Sequence, residues 1–188
     1  MNVVMTRYPS ESDWESCKRR ALRTMGMSKV KTMPTEEWKK AILKARHSPI
    51  RCLMFSFDIE CPSWVAVHLC RHLHAQPYVQ SQRNDRQKKY DRNKAPQDSP
   101  VIMTWDMNAE ELMTIMNKRL CYLASPETRQ VVQAMKFLVL DKCPEFADEL
   151  IPNCELYHGC REMKSCGRYK EWKHEYLLPT DEPDSMDR

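Results

Sequence analysis

Between Arg71 and Arg83 the chain gathers groups able to hold an anion and a planar ring: Arg71, His72, His74, Gln76, Gln80, Ser81, Gln82 and Arg83. An arginine presents a flat fork of N–H donors that matches phosphate oxygens. Glutamine amides and a serine hydroxyl both donate and accept, as an amide-rich ring such as uracil requires. The chemistry on offer is nucleotide binding. Taken alone, such a cluster after an apolar helix reads first as a solvated helix end and only second as a site, because a motif needs its context.

Two elements must position it. Leu53, Phe55, Phe57 and Ile59 alternate with Met54, Ser56, Asp58 and Glu60, the period of a half-buried strand. Pro62-Ser63 then opens a helix running through Trp64, Val65, His68, Leu69 and His72. Upstream, Trp14, Cys17, Ala21 and Met25 recur at helical spacing over residues 12–25. Thr35 caps a second helix, with Glu36 and Glu37 favoured by its dipole, and Ser48-Pro49 stops it. Downstream, Asn108-Ala-Glu-Glu111 resembles a capping box for a helix through Leu112, Ile115, Met116 and Leu120. Ser125-Pro126-Glu127 starts another, through Val131, Val132, Met135, Phe137 and Leu138, ended by Cys143-Pro144. Met103, Met107, Met113 and Met116 are assigned to helical core positions as adaptable packing. The expected architecture is α+β: a mostly helical single domain over residues 1–168 with a small sheet, followed by a polar, disordered tail at 169–188.

Composition narrows the classes. With 188 residues the chain can bury one core, and 3 glycines exclude a glycine-rich phosphate loop or a dinucleotide fingerprint. The net charge of +4 suits an anionic ligand but is too small to argue for nucleic acid. Arg83, Arg86, Lys88, Lys89, Arg92 and Lys94 make residues 83–100 a basic loop, either solvated surface or the margin of a nucleotide site. The 9 cysteines, an odd number with several in apolar stretches, fit reduced thiols and a cytoplasmic location. No leader or membrane span is expected.

The ordered motifs resemble those of the flavin-dependent thymidylate synthases of the ThyX type. The family's R-H-R-x-x-S-x-N-E-x-S-x-R is matched in register by Arg71, His72, Ser81 and Arg83, approached through Ser48-Pro49, Phe55, Phe57 and Val65. Its N-A-R-x-L helix is similar to Asn108-Ala109, Leu112 and Arg119, and Pro126-Glu127-Thr128-Arg129 echoes the next stretch. Pro152, Cys154, Gly159-Cys160 and Ser165-Cys166-Gly167-Arg168 resemble the family's C-terminal part. The resemblance implies methylation of dUMP to dTMP with methylenetetrahydrofolate as carbon donor, FAD as cofactor and NADPH as reductant. It implies a homotetramer with shared active sites. By position, Arg71, His72 and Asn108 would hold FAD; His68, Ser81, Gln82, Arg83 and Arg119 would meet the nucleotide, with Ser81 and Arg119 at the reacting ring.

Several positions depart from that pattern. Leu73 stands for the motif's second arginine, Gln76 for its first serine and Tyr78-Val79 for its Asn-Glu pair. The span from Arg83 to Asn108 is also shorter than the family's. A different one-carbon product at C5, or a non-catalytic nucleotide- or nucleic-acid-binding role, is the alternative. No metal is expected: His68 and His72, one turn apart, lack the glutamate of a zinc protease, with Leu69 in its place. Cys154, His158, Cys160 and Cys166 read as free side chains before they read as a structural zinc site.

Overall fold

A computed structural model describes residues 1–27, 29–86 and 91–169. The element order is β1 (Asn2–Arg7), α1 (Glu11–Thr24), α2 (Glu36–Lys44), β2 (Met54–Pro62), α3 (Ser63–Leu69), β3 (Gln76–Val79), β4 (Pro100–Asn108), α4 (Ala109–Arg119), α5 (Pro126–Lys142) and α6 (Asn153–Leu156), with short 3-10 turns at Ser48–Cys52 and Pro144–Phe146. The class is α+β, as the sequence implies. No helix among the described residues is long and apolar enough to cross a membrane.

The four strands form one antiparallel sheet in the order β1-β2-β4-β3. In the long central pair Phe55 opposes Met107, Phe57 opposes Trp105 and Ile59 opposes Met103, so every inward residue of one strand faces an inward residue of the other. This two-residue period puts the aromatic and sulfur side chains on the helix-covered face, where Phe55 meets the edge of Phe146 at 5.4 Å. The other face carries Ser56, Asp58, Glu60, Ile102 and Thr104, with the Thr104 hydroxyl donating to Asp58 at 2.6 Å.

The helices follow local rules. Ser10 and Asp13 form a reciprocal capping box at the start of α1. Thr35 caps α2, and Ser125 accepts from the Thr128 N–H at the start of α5. Burial of Trp14, Cys17 and Ala21 matches the helical spacing read for α1.

Four expectations need correction. Met103 and Met107 lie on β4, not on a helix: Val101, Met103, Trp105 and Met107 alternate with exposed or half-buried neighbours. Both periods leave methionines inside, so packing alone did not separate them. α3 ends at Leu69 and does not reach His72, because the N–H of its cap Cys70 closes on Ala66 and the His72 N–H bonds back to Leu69 as a turn. Part of the polar cluster itself, Gln76–Val79, is an edge strand paired to β4. Phe137 is 71% exposed on the outer side of α5, away from the core. The tail expected at 169–188 lies outside the described residues from 170 onward, as do Lys88 and Lys89 of the basic loop.

Candidate functional site

Arg119 is the last residue of α4, and His72 lies in the turn after α3. In the antiparallel β2–β4 pair α3 leaves at the Pro62–Pro100 end and α4 at the Met54–Asn108 end, and the turn after α3 reaches the C-terminal end of α4. The two side chains meet there. Arg119 Nε donates to His72 Nε2 at 2.9 Å, and its Nη2 donates to the His68 carbonyl at 3.4 Å. Accepting at Nε2 requires a neutral imidazole whose proton sits on Nδ1. That nitrogen faces Glu111 Oε1 at 3.6 Å. All three side chains are removed from solvent to a large degree: His72 is 10% and Glu111 7% exposed, and Arg119 is half-buried.

Charge decides what this arrangement can bind. Burial, and then the nearby positive charge of Arg71, lower the pKa of Arg119 from its ordinary value. A guanidinium remains cationic under such pressure. Among the described residues Arg119 has no carboxylate within ion-pair distance; its partners are a neutral ring and a carbonyl. An uncompensated, half-buried cation with Nη1 unengaged favours an anion or a carbonyl oxygen arriving from solvent.

Such access exists. A groove of about 460 Å³ is lined by His72, Thr114, Lys118, Arg119, Leu123 and Glu162 among others. A second, of about 420 Å³, is lined by Arg51, His74, Asn108, Glu110, Glu111 and Thr114. Thr114 borders both, so the Glu111–His72 contact forms the wall between them.

The structure thus joins His68, His72 and Arg119 and keeps Arg71 close enough to act on Arg119 electrostatically. It does not bring the remaining candidates to the same point within one chain. Among the described residues Ser81 Oγ accepts only the Arg83 N–H, at 3.4 Å. Gln82 donates to Ser63 at 3.1 Å, and Arg83 spends its fork on Asp85 at 2.9 and 2.6 Å in an exposed turn. Leu73, at the motif's second arginine, is 88% exposed, and Tyr78 and Val79 are β3 residues. His68 stacks edge-on against Trp64 at 5.4 Å, and His72 is off the helix, so the two do not share one helical face.

Asn108 is the N-cap of α4, its Oδ1 accepting the Glu111 N–H at 3.0 Å. The reciprocal half of the box is not made; the Glu111 carboxylate is turned to His72. Asn108→Ala is expected to cost about 1 kcal/mol of stability, whereas Asn108→Asp keeps the cap and costs little. Chemical denaturation of the two variants measures the difference, and equal losses would deny the cap.

Sequence reasoning missed Glu111 as a site residue. An acid at the third helical position reads as a dipole or capping partner, and only its burial beside an imidazole distinguishes it. Cys121 was missed likewise. It lines a small, mostly apolar cavity with Cys154, Cys160 and Cys166, whereas His158 does not. Among the described residues no three His, Cys, Asp or Glu side chains converge to hold a metal ion. Burial raises the Cys154 thiol pKa, which leaves it protonated and poorly nucleophilic.

Residues 90–145 match the model of the Thy1 family, described as thymidylate synthase complementing protein. That stretch contains β4, α4 and all of α5, hence Asn108, Glu111 and Arg119, and it begins after Arg83. No curated protein matches the chain.

Proposed function

We propose, from the partial match to the Thy1 family model at residues 90–145 and the resemblance to ThyX-type enzymes, that this chain is a flavin-dependent enzyme methylating dUMP to dTMP. Methylenetetrahydrofolate would be the carbon donor and NADPH the reductant. The observation that carries the reading is the uncompensated Arg119 guanidinium, held by His72 and the His68 carbonyl at the edge of an open groove.

A cation in that position stabilises negative charge developing on a uracil oxygen as C5 becomes nucleophilic. Among the described residues nothing hydrogen-bonds Arg119 Nη1, which leaves it to face that oxygen. His72 cannot take a proton at Nε2 without giving up Arg119, so it orients the guanidinium and does not act as a base. Arg71 adds positive charge beside Arg119 that suits a phosphate, whereas Lys118 at the groove is paired with Glu162 at 3.8 Å.

Of the residues that the resemblance gives to FAD, Arg71 could meet its phosphates, while His72 is committed to Arg119 and Glu111 and the Asn108 oxygen caps α4. When bound, FAD supplies the hydride. His72 and Asn108 open onto different grooves of one chain, and Ser81, Gln82 and Arg83 border neither. A homotetramer with shared sites would supply the ring- and phosphate-binding group from a second copy. The reading places the enzyme in the cytoplasm and without nucleic acid as a partner.

The test is an absorbance spectrum of the purified protein titrated with FAD and then with dUMP. A bound-flavin spectrum that changes on adding dUMP is the expected result. Absence of flavin uptake would overturn the synthase reading in favour of a nucleotide-binding role without flavin chemistry.

A further inference from the structure

Glu111 belongs to no motif that suggested the site, yet its placement is more costly than that of a helix-end acid. Its side chain is 7% exposed, and it does not close the capping box on Asn108. Among the described residues no basic side chain forms an ion pair with it other than His72, 3.6 Å away. A buried carboxylate held off water without a donor is unfavourable. A small shift, or one bridging water, completes the hydrogen bond from Nδ1–H. The imidazole is in turn committed on its other side to Arg119. The Trp105 ring also faces it, with centroids 6.1 Å apart, and Arg71 acts electrostatically on Arg119.

We infer that Glu111 is a positioning residue: it selects the Nδ1–H tautomer of His72, whose Nε2 lone pair then fixes the Arg119 guanidinium at the edge of the groove. The inference rests on the reading of Arg119 as the group that meets the nucleotide. The chain of contacts runs Glu111 carboxylate, imidazole, guanidinium, and passes through the wall separating the two grooves. With a second donor on Nε2 the imidazole would confront the Arg119 N–H with its own, and the guanidinium would swing away.

Long-range ¹H–¹⁵N correlation spectra of ¹⁵N-histidine protein read the tautomer without nucleotide or flavin. His72→Gln identifies the signal by its loss. The wild-type ring is expected in the Nδ1–H form. Glu111→Leu is expected to move it to the Nε2–H form or a mixture, while Glu111→Gln, whose amide oxygen accepts the same bond, restores Nδ1–H. The kcat of Glu111→Leu with dUMP should fall roughly 10- to 100-fold, as when an outer partner of a histidine is lost, with KM changed less.

A wild-type His72 in the Nε2–H or doubly protonated form overturns the inference, even if Glu111→Leu does not fold. So does a folded Glu111→Leu with an unchanged tautomer, the result expected if Glu111 only packs at the helix start. Tautomers that behave as expected in a protein that takes up no flavin would sink the synthase reading alone and leave the positioning role standing.

Discussion

Arg119→Ala is expected to lower dUMP turnover about 100- to 1000-fold, the loss typical of removing one preorganised donor to a developing oxyanion. The protein should remain folded. Arg119 lies at the end of α4 and half-exposed, and its hydrogen bonds at 2.9 and 3.4 Å tie it to a turn and a carbonyl, not to the core. Losing them costs about 1 to 2 kcal/mol. Circular dichroism and thermal unfolding should therefore show a native fold with a modestly lower Tm. Arg119→Lys keeps the charge but not the fork, and a point charge cannot bond His72 and a ring oxygen together in one plane. It should recover little of the loss. Normal turnover by the alanine variant would remove Arg119 from the ring edge and with it the present reading of the groove.

The largest expected loss of stability is at Phe55. Its ring is fully buried on β2, 6.5 Å from Phe57 in a stacked arrangement and 5.4 Å from the edge of Phe146. Phe55→Ala removes that surface and leaves a cavity the sheet cannot close, at a cost of about 3–5 kcal/mol. Domains of this size are stable by roughly 5–15 kcal/mol, so the variant should lose a large fraction of its margin. Its Tm should fall by about 10 °C or more. Phe137, 71% exposed on α5, is the matching control. Phe137→Ser should stay within about 0.5 kcal/mol of the wild type. Similar losses at the two sites would mean that α5 is turned differently against the sheet.

That contrast shows where the sequence was readable. Phe55 was placed by alternation over four residue pairs, a pattern that only a half-buried strand produces. Phe137 was placed by proximity to apolar neighbours on a helix whose face is broad, and that does not fix one side. The caps at Thr35, Asn108 and Ser125 were legible because a small polar residue before a helix has a local job. β1 and β3 were not: six and four residues long, both are edges held by pairing partners distant in sequence. β4 carries an alternation as clear as that of β2, but its methionines also suit a helix, and one followed immediately. At the site, motif order led to His72 and Arg119 as separate residues. Their mutual contact depends on a strand pairing that no local signal encodes, and the role of Glu111 depends on that contact.

The pairing of β2 with β4 closes at Pro62 opposite Pro100, and the Ser63 N–H bonds to the Ser99 carbonyl at 2.9 Å just beyond. The segment from 63 to 99 is therefore an excursion tied off at its neck, and among its described residues only the short edge β3 returns to the sheet. Lengthening or trimming such a loop changes its closure entropy slowly, about 0.6 kcal/mol for each doubling. Changing the length of the segment between Arg83 and Ser99 therefore leaves the central strand pair undisturbed. The same neck makes residues 91–99 the natural point for grafting an added module.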